Sequence, residues 1–417
     1  MHPAHGAIRT KHFSPPIAGV TSIRMTRNAT PRRATTLLLA LLAAAACGDD
    51  GGASTTDTTT AGTTGPAATD PGTTTDLPTT GEPGTTADPG TTTDPGTGTT
   101  TPDPTTGGSD TSTGAPVNEP QIVHEFDVAM FQLPEGLDVR DGTAYVGLVT
   151  GPVFTVDPDD GTATIIGGLM GLPQDNTAIM TGLVAGKQGE LYVALDVFAP
   201  GDFVTGIYKI PKGGGPGTLF ASDPGMLFPN GFAHDANGDL LVTDSFAGAV
   251  HRVAIADGKV STWVSDPALL GPNPDTCKTD AQFHLGANGI VVDGDRVLVT
   301  NSDQASIIEI PVDGQGNAGA PALFLGPDCD GLSGADGLVI EPGTGDILVP
   351  VNYKQRIIRI DASKTVTVLA EGGLLQSPAT LASHPDGKSV LIANAAFEAA
   401  TSDPASAHPA LLSLALD

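Results

Sequence analysis

The chain has 417 residues and a formal net charge of −28, from 47 Asp and Glu against 19 Lys and Arg. So strong an acidic excess disfavours nucleic acid as a partner, because a phosphate backbone is bound by clustered cations.

In chain order, residues 1–46 read as an export signal. Arg27, Arg32 and Arg33 precede an apolar core from Leu37 to Ala46, which at roughly ten residues is too short to span a bilayer. The run Ala44-Ala45-Ala46-Cys47 resembles a bacterial lipobox, in which the cysteine is lipidated and becomes the mature N-terminus. The expectation is an exported lipoprotein that meets the membrane only through a lipid on Cys47. Residues 1–24 fit a signal poorly, and Met25 is the alternative start.

Residues 47–118 are rich in Thr, Pro, Gly and Asp, in units such as Thr91-Thr92-Thr93-Asp94-Pro95-Gly96. Ordering them would cost conformational entropy with no apolar burial in return. No Lys or Arg falls between Arg33 and Arg140, so like-charge repulsion extends the segment further. It reads as a disordered tether.

Residues 119–417 read as one folded domain, and its elements repeat. Asn230 opens Gly231–His234, a turn at Asp235-Ala236-Asn237-Gly238, then Asp239–Thr243, a third strand at Ala249–Val253 and a fourth at Lys259–Val264. The same order follows Glu135, Asn288 and Asp336, and weaker copies run through Gly182–Val193 and Thr380–Ile392. Six units recur with a period of roughly 45 to 58 residues. Short strands punctuated by Gly, Asp and Asn indicate an all-β fold, and the period with its strand count predicts a six-bladed β-propeller of four-stranded blades. The last unit ends at Leu411–Leu416 without an outer strand, which Gln121–Val128 can supply. A β-sandwich is the alternative, against which the six in-phase copies argue.

The phase of the repeat gives four dipeptides meaning: Glu135-Gly136, Asn230-Gly231, Asn288-Gly289 and Asp336-Gly337. Each alone is a common turn sequence. All four, however, open the first strand of a unit, which in a propeller is the innermost. Two carboxylates and two amides then converge on one axis, and the glycines let the backbones approach there. The other two units carry Thr181 and Ala379 or Thr380 at this place. Oxygen donors suit a hard divalent cation, Ca²⁺ first, with Mg²⁺, Mn²⁺ and Zn²⁺ as alternatives.

These residues, with Pro134, Pro229 and the pair Asp244-Ser245, resemble the regucalcin/gluconolactonase family of six-bladed propellers over residues 120–417. The resemblance implies divalent-metal ligation by Glu135, Asn288 and Asp336, with Asn230 at the metal or substrate. It also implies that Asp336 is the catalytic base of lactone hydrolysis. The paraoxonase-like lactonases share a similar ligand set but have Asp-Asn where this chain has Asp336-Gly337. Members acting on sugar lactones often carry an Arg two residues before the third-blade Asn. Phe228 stands there instead, beside Met226 and Leu227, an apolar rim that suits a more hydrophobic lactone or ester, or no substrate at all.

Second strands return to the end where the first began, so Asp244, Ser245, Asn301, Asn352 and Asn394 are expected near the ligands. They serve either as hydrogen-bond partners or as caps of strand ends. His284, four residues before Asn288, borders the same mouth as a proton shuttle or as a solvated loop residue. His234 and His251 follow strand patterns and read as packing or surface residues. Cys277 and Cys329 lie in loops ahead of Asn288 and Asp336, and a disulfide between them would pin two site loops.

No nucleophile elbow, Walker-type loop or Rossmann fingerprint occurs in the domain, which disfavours serine-hydrolase and nucleotide chemistry. A glycosidase pair of Glu135 and Asp336 is a weaker resemblance. Two functions remain: a metal-dependent hydrolase of lactones or related esters, or a non-catalytic surface propeller with a structural Ca²⁺ that binds a ligand or protein. A monomer is expected.

Overall fold

A computed structural model of the chain describes residues 118–416, except Asn176, 272–276 and 278–283. The expected signal segment and most of the tether, Cys47 included, lie outside the described residues.

Among the described residues, 25 strands form six sheets. The first blade holds β2 (Pro134–Arg140), β3 (Thr143–Leu148), β4 (Pro152–Val156) and β5 (Ala163–Gly168). The second holds β6 (Ala178–Ala185), β7 (Leu191–Val197), β8 (Gly206–Ile210) and β10 (Thr218–Ala221), while the short β9 (Gly215–Pro216) pairs in parallel with β5. The third runs β11 (Pro229–His234), β12 (Leu240–Asp244), β13 (Ala249–Val253) and β14 (Val260–Ser265). The fourth runs β15 (Ala287–Asp293), β16 (Arg296–Asn301), β17 (Ser306–Pro311) and β18 (Ala322–Leu325). The fifth runs β19 (Val339–Ile340), β20 (Ile347–Val351), β21 (Arg356–Ile360) and β22 (Val366–Glu371). The sixth combines β23 (Pro378–Ser383), β24 (Ser389–Asn394) and β25 (Ala410–Ala415) with β1 (Gln121–Glu125). The fold is a six-bladed β-propeller with four-stranded blades.

The second strands read as continuous apolar runs because each is covered on both faces by neighbouring blades. All five residues of β12 and of β20 are buried. The core is accordingly split into inter-blade layers. One joins Tyr192 and Ile207 to Leu240 and Val242, the next Leu241 and Val250 to Ile290 and Val299. Another joins Leu298 and Ile307 to Val349 and Ile358.

The ring closes where β1 pairs antiparallel with β25, Gln121 opposite Ser413 and Glu125 opposite Ala410. The closing strand is shorter than the expected Gln121–Val128. The Asp127 carboxylate accepts the Ala129 N–H at 2.9 Å and starts a 3-10 turn over Val128–Met130. A short helix unforeseen from sequence, α1 (Phe397–Ser402), fills the loop between β24 and β25.

The dipeptides are not hairpin turns. The register of the first strand shifts between Pro134 and Gly136, Pro229 and Phe232, and Ala287 and Ile290. Each site residue of these blades therefore sits in a β-bulge, which re-aims a side chain. The glycine follows from crowding. A Cβ on Gly289 would stand 2.4 Å from the Asp336 carbonyl oxygen and 2.6 Å from Gly337 Cα. Because both obstacles are backbone, Gly289→Ala is expected to destabilise the domain by roughly 1–3 kcal/mol. Urea denaturation checks this, and an unchanged midpoint would show that the inner strands can spread.

Candidate functional site

Strand register places the site residues at one level of the axis. Pro229 faces Asp244 and Ala287 faces Asn301, with Asn230 and Asn288 next along. Ala335 bridges to Val351 ahead of Asp336, and Pro378 pairs with Asn394, so Ala379 rather than Thr380 takes the sixth place. Glu135, Asn230, Asn288 and Asp336 are all buried. The last three line an axial cavity of about 300 Å³ that reaches Asp138 and His234 at the far end.

In the third and fourth blades two hydroxyls hold this geometry. In the fourth blade the Ser302 hydroxyl donates to the Ala335 carbonyl at 2.7 Å, which uses its only proton. It can then only accept from Asn288, whose Nδ2 lies 3.0 Å away. The orientation of the amide follows, and Oδ1 is left as its acceptor for the axis. Ser245 does the same for Asn230, donating to the Ala287 carbonyl at 2.7 Å and accepting from Nδ2 at 3.3 Å. Thr300 accepts the Gly289 N–H at 2.8 Å and donates to the Asp336 carbonyl at 2.5 Å. Thr243 likewise links Gly231 to the Asn288 carbonyl. In the fifth blade Asn352 takes the serine's place, its Nδ2 donating to Asp336 Oδ2 at 3.1 Å.

Burial raises the Asp336 carboxyl to about 7, against hydrogen bonds from Asn352, Asn288 and the Gly337 N–H. Burial, and then the charge of Asp336, push Glu135 well above the usual carboxylate range. Glu135 Oε2 is buried with no hydrogen-bond partner among the described residues. Buried carboxylates in this state fit a cation, which would stabilise the ionised forms. Among the described residues no three His, Cys, Asp or Glu side chains gather as a metal cluster. The residues that could hold a cation are Glu135, Asp336, Asn230 and Asn288, a mixed set of carboxylate and amide oxygens of the kind hard cations accept.

Sequence reasoning missed Asp196. It stands in β7 at the place of Ser245, Ser302 and Asn352, is fully buried, and accepts the Thr181 hydroxyl on Oδ2 at 3.2 Å. Its Oδ1 is also buried without a partner among the described residues. Burial, and then the charges of Asp244 and Glu135, raise its carboxyl well above the ordinary range despite that hydroxyl. The available signal was an Asp closing the apolar run Leu191–Val197.

The other second-strand residues divide. Ser245 and Asn352 touch site residues, whereas Asp244, Asn301 and Asn394 face the loops. Asn301 Nδ2 donates to the carbonyls of Ala268 and Leu270, and Asn394 Nδ2 to those of Leu374 and His408. Asp244 accepts the N–H groups of Leu227, Phe228, Phe246 and Ala247, with His251 Nε2 at 3.2 Å. Burial alone would raise its carboxyl, but His251 and these N–H groups outweigh it and hold it below the usual range. These three residues fasten loops and orient no site residue directly.

His284 is half exposed and its Nδ1 lies 2.8 Å from Asp303 Oδ2. His234 Nε2 meets the Ala185 carbonyl at 3.0 Å and lines the axial cavity. Phe228 is buried beside Phe246, with ring centroids 4.6 Å apart. Cys277 and Cys329 are disulfide-bonded, with their Cα atoms 5.2 Å apart.

The carboxyl of Asp336 is raised on folding, so its contribution to stability is present below about pH 4 and lost as pH rises through about 7. Glu135 acts in the same direction. Relative to Asp336→Asn, the metal-free domain should lose stability over that window, and Ca²⁺ should restore more of it at pH 8 than at pH 5. Thermal melts with and without Ca²⁺ check this, and equal Ca²⁺ shifts at the two pH values would refute it.

No family model matches the chain, and no curated protein matches it by sequence. Solved structures do match. A calcium-binding protein, regucalcin, from Agrobacterium tumefaciens is 19% identical, with a TM-score of 0.52, over 72% of this chain and 94% of that one. A luciferin-regenerating enzyme is 15% identical, with a TM-score of 0.51, over 71% of this chain and 95% of that one. A putative gluconolactonase is 14% identical, with a TM-score of 0.49, over 72% and 93%. The chain thus has regucalcin and luciferin-regenerating enzyme among its structural neighbours, and what it shares with them is the six-bladed propeller fold.

Proposed function

We propose that the domain is a divalent-metal-dependent hydrolase of lactones or related esters, akin to gluconolactonases. The observation that carries this reading is the meeting of Glu135, with an oxygen unpartnered among the described residues, and Asp336, raised to about 7, beside two amides oriented by serine hydroxyls. Glu135, Asn230, Asn288 and Asp336 would hold the cation. When bound, it would polarise the substrate carbonyl.

The protein's own groups supply the proton chemistry. Ionised Asp336 accepts a proton from the water that adds to the carbonyl carbon. It returns that proton to the departing alkoxide as the C–O bond breaks, so the net change is addition of one water. Asn352 holds Oδ2 of the base at 3.1 Å and fixes its direction. A general base of this kind contributes roughly 10²–10⁴-fold. A panel of lactones and esters is expected to show turnover that is abolished by EDTA, restored by Ca²⁺, and reduced at least about a hundredfold in Asp336→Ala. Activity that survives both treatments would sink the mechanism.

The second reading is a non-catalytic propeller with a structural cation. Phe228, standing where sugar-lactone members carry an Arg, favours it. No turnover on any panel member, together with tight Ca²⁺ binding, would select it.

The same proposal has the protein exported and anchored through Cys47. Labelled palmitate should be incorporated in cells making the full chain and be lost in Cys47→Ser. Equal labelling of the two would remove the anchor.

A further inference from the structure

At the end of each second strand one residue stands behind the site residue of its own blade. Register assigns the place. Met180 faces Leu195 ahead of Asp196, as Pro229 faces Asp244 ahead of Ser245, Ala287 faces Asn301 ahead of Ser302, and Ala335 bridges to Val351 ahead of Asn352. All four touch the residue in front of them. Asp196 Oδ2 lies 3.2 Å from the Thr181 hydroxyl, while Ser245, Ser302 and Asn352 meet Asn230, Asn288 and Asp336 at 3.3, 3.0 and 3.1 Å. The first and sixth blades carry Val149 and Ala395 at this place, so Asp196 is the one acid of the six.

Adhesion between blades does not account for a carboxyl there. The serines give their proton to the carbonyl ahead of the next blade's site residue. In the second blade that carbonyl belongs to Pro229, and the Thr181 hydroxyl already reaches it at 3.0 Å. One hydroxyl proton faces both Pro229 and Asp196, so Asp196 receives at most a share of one hydrogen bond from it. The residue is 0% exposed, yet its Oδ1 has no partner among the described residues. Glu135, in the adjacent blade, leaves Oε2 in the same condition. The two first strands run close there: a Cβ on Gly136 would stand 2.8 Å from the Thr181 carbonyl oxygen. The charges that act on Asp196, those of Asp244 and Glu135, are both negative. A buried carboxyl between two acids calls for a positive partner that its neighbours do not supply.

We propose that Asp196 is a third anionic group of the central cation site and sets the charge of the ion the site selects. The proposal rests on the cation of the proposed function. Glu135, Asp196 and Asp336 do not gather as one ligand cluster among the described residues. Asp196 therefore acts across space, from behind Thr181, instead of bonding the ion directly. Two carboxylates neutralise a divalent ion, and a third leaves one negative charge over, which favours an ion of higher charge. The ligand class is a hard, oxygen-seeking cation, with trivalent ions held more tightly than Ca²⁺.

The test titrates Ca²⁺ and Tb³⁺ into the full chain by calorimetry at pH 7, with Glu135→Gln/Asp336→Asn as the blank for ions held by the acidic surface. Tb³⁺ is expected to bind more tightly than Ca²⁺. Even about 10 Å from the ion, at an effective dielectric near roughly 20, one charge pair is worth at least about tenfold. Asp196→Asn should therefore weaken Ca²⁺ and weaken Tb³⁺ further, lowering the ratio of the two affinities at least about tenfold. A purely structural role would weaken both ions equally. Asp160→Asn, at an exposed position, should keep the parental ratio. Thermal melts confirm folding, and Asp196→Ser, which installs the residue of the third and fourth blades, is the second variant should the first not fold. An unchanged ratio in the Asp196 variant, or an equal drop in Asp160→Asn, overturns the proposal and leaves the cation site standing. Parental binding no stronger than the blank overturns both.

Discussion

Six strands begin around one axis, and there is not room there for ordinary side chains on all of them. Much of the centre follows from that crowding. Between the third, fourth and fifth blades the first strands approach until a Cβ on Gly231 would stand 2.5 Å from the Asn288 carbonyl. Backbone groups brought so close need partners, because an unpaired buried carbonyl costs about 1–3 kcal/mol. Thr243, Ser245, Thr300 and Ser302 supply them, the threonines from second strands and the serines from the residue just after, each reaching into the next blade.

The same hydroxyls decide what the centre can do. A serine whose proton is already given to a carbonyl can only accept, and so it turns the asparagine amide to present oxygen. Blade-to-blade adhesion and the sign of the central site are thus set by one group of atoms. With the two carboxyls Glu135 and Asp336 buried at the centre and both raised above the ordinary range, the centre holds protons more readily than free carboxylates do. Burial of those two groups therefore ties the stability of the centre to pH.

The repeat was legible from sequence because its signals are local: apolar runs, turn residues and the phase of four dipeptides. Asp336 and Glu135 were legible for the same reason. The bulge was not, since Asn-Gly in a bulge and Asn-Gly in a turn look alike until the partner strand is known. Asp196 was missed because its role depends on register. Only pairing shows that it stands where two other blades have serine. Asp244 and Asn301 were grouped with Ser245 as neighbours of the ligands, but adjacent residues on a strand point to opposite faces. Asp244 serves the loop and Ser245 the axis.

The closure of the ring also settles where the chain enters and leaves it. Gln121 opens β1 opposite Ser413, and Glu125 ends it opposite Ala410, level with Asn394 and Pro378 where the innermost strand begins. The first described residues and the last therefore both lie at the back of the disc, and Asn118 Nδ2 donates to the Ala415 carbonyl there. The loops that carry the phenylalanines are at the front. The disc is consequently polar in the geometric sense. A tag, fusion or surface grafted to either terminus of the domain attaches behind it and leaves the mouth unobstructed.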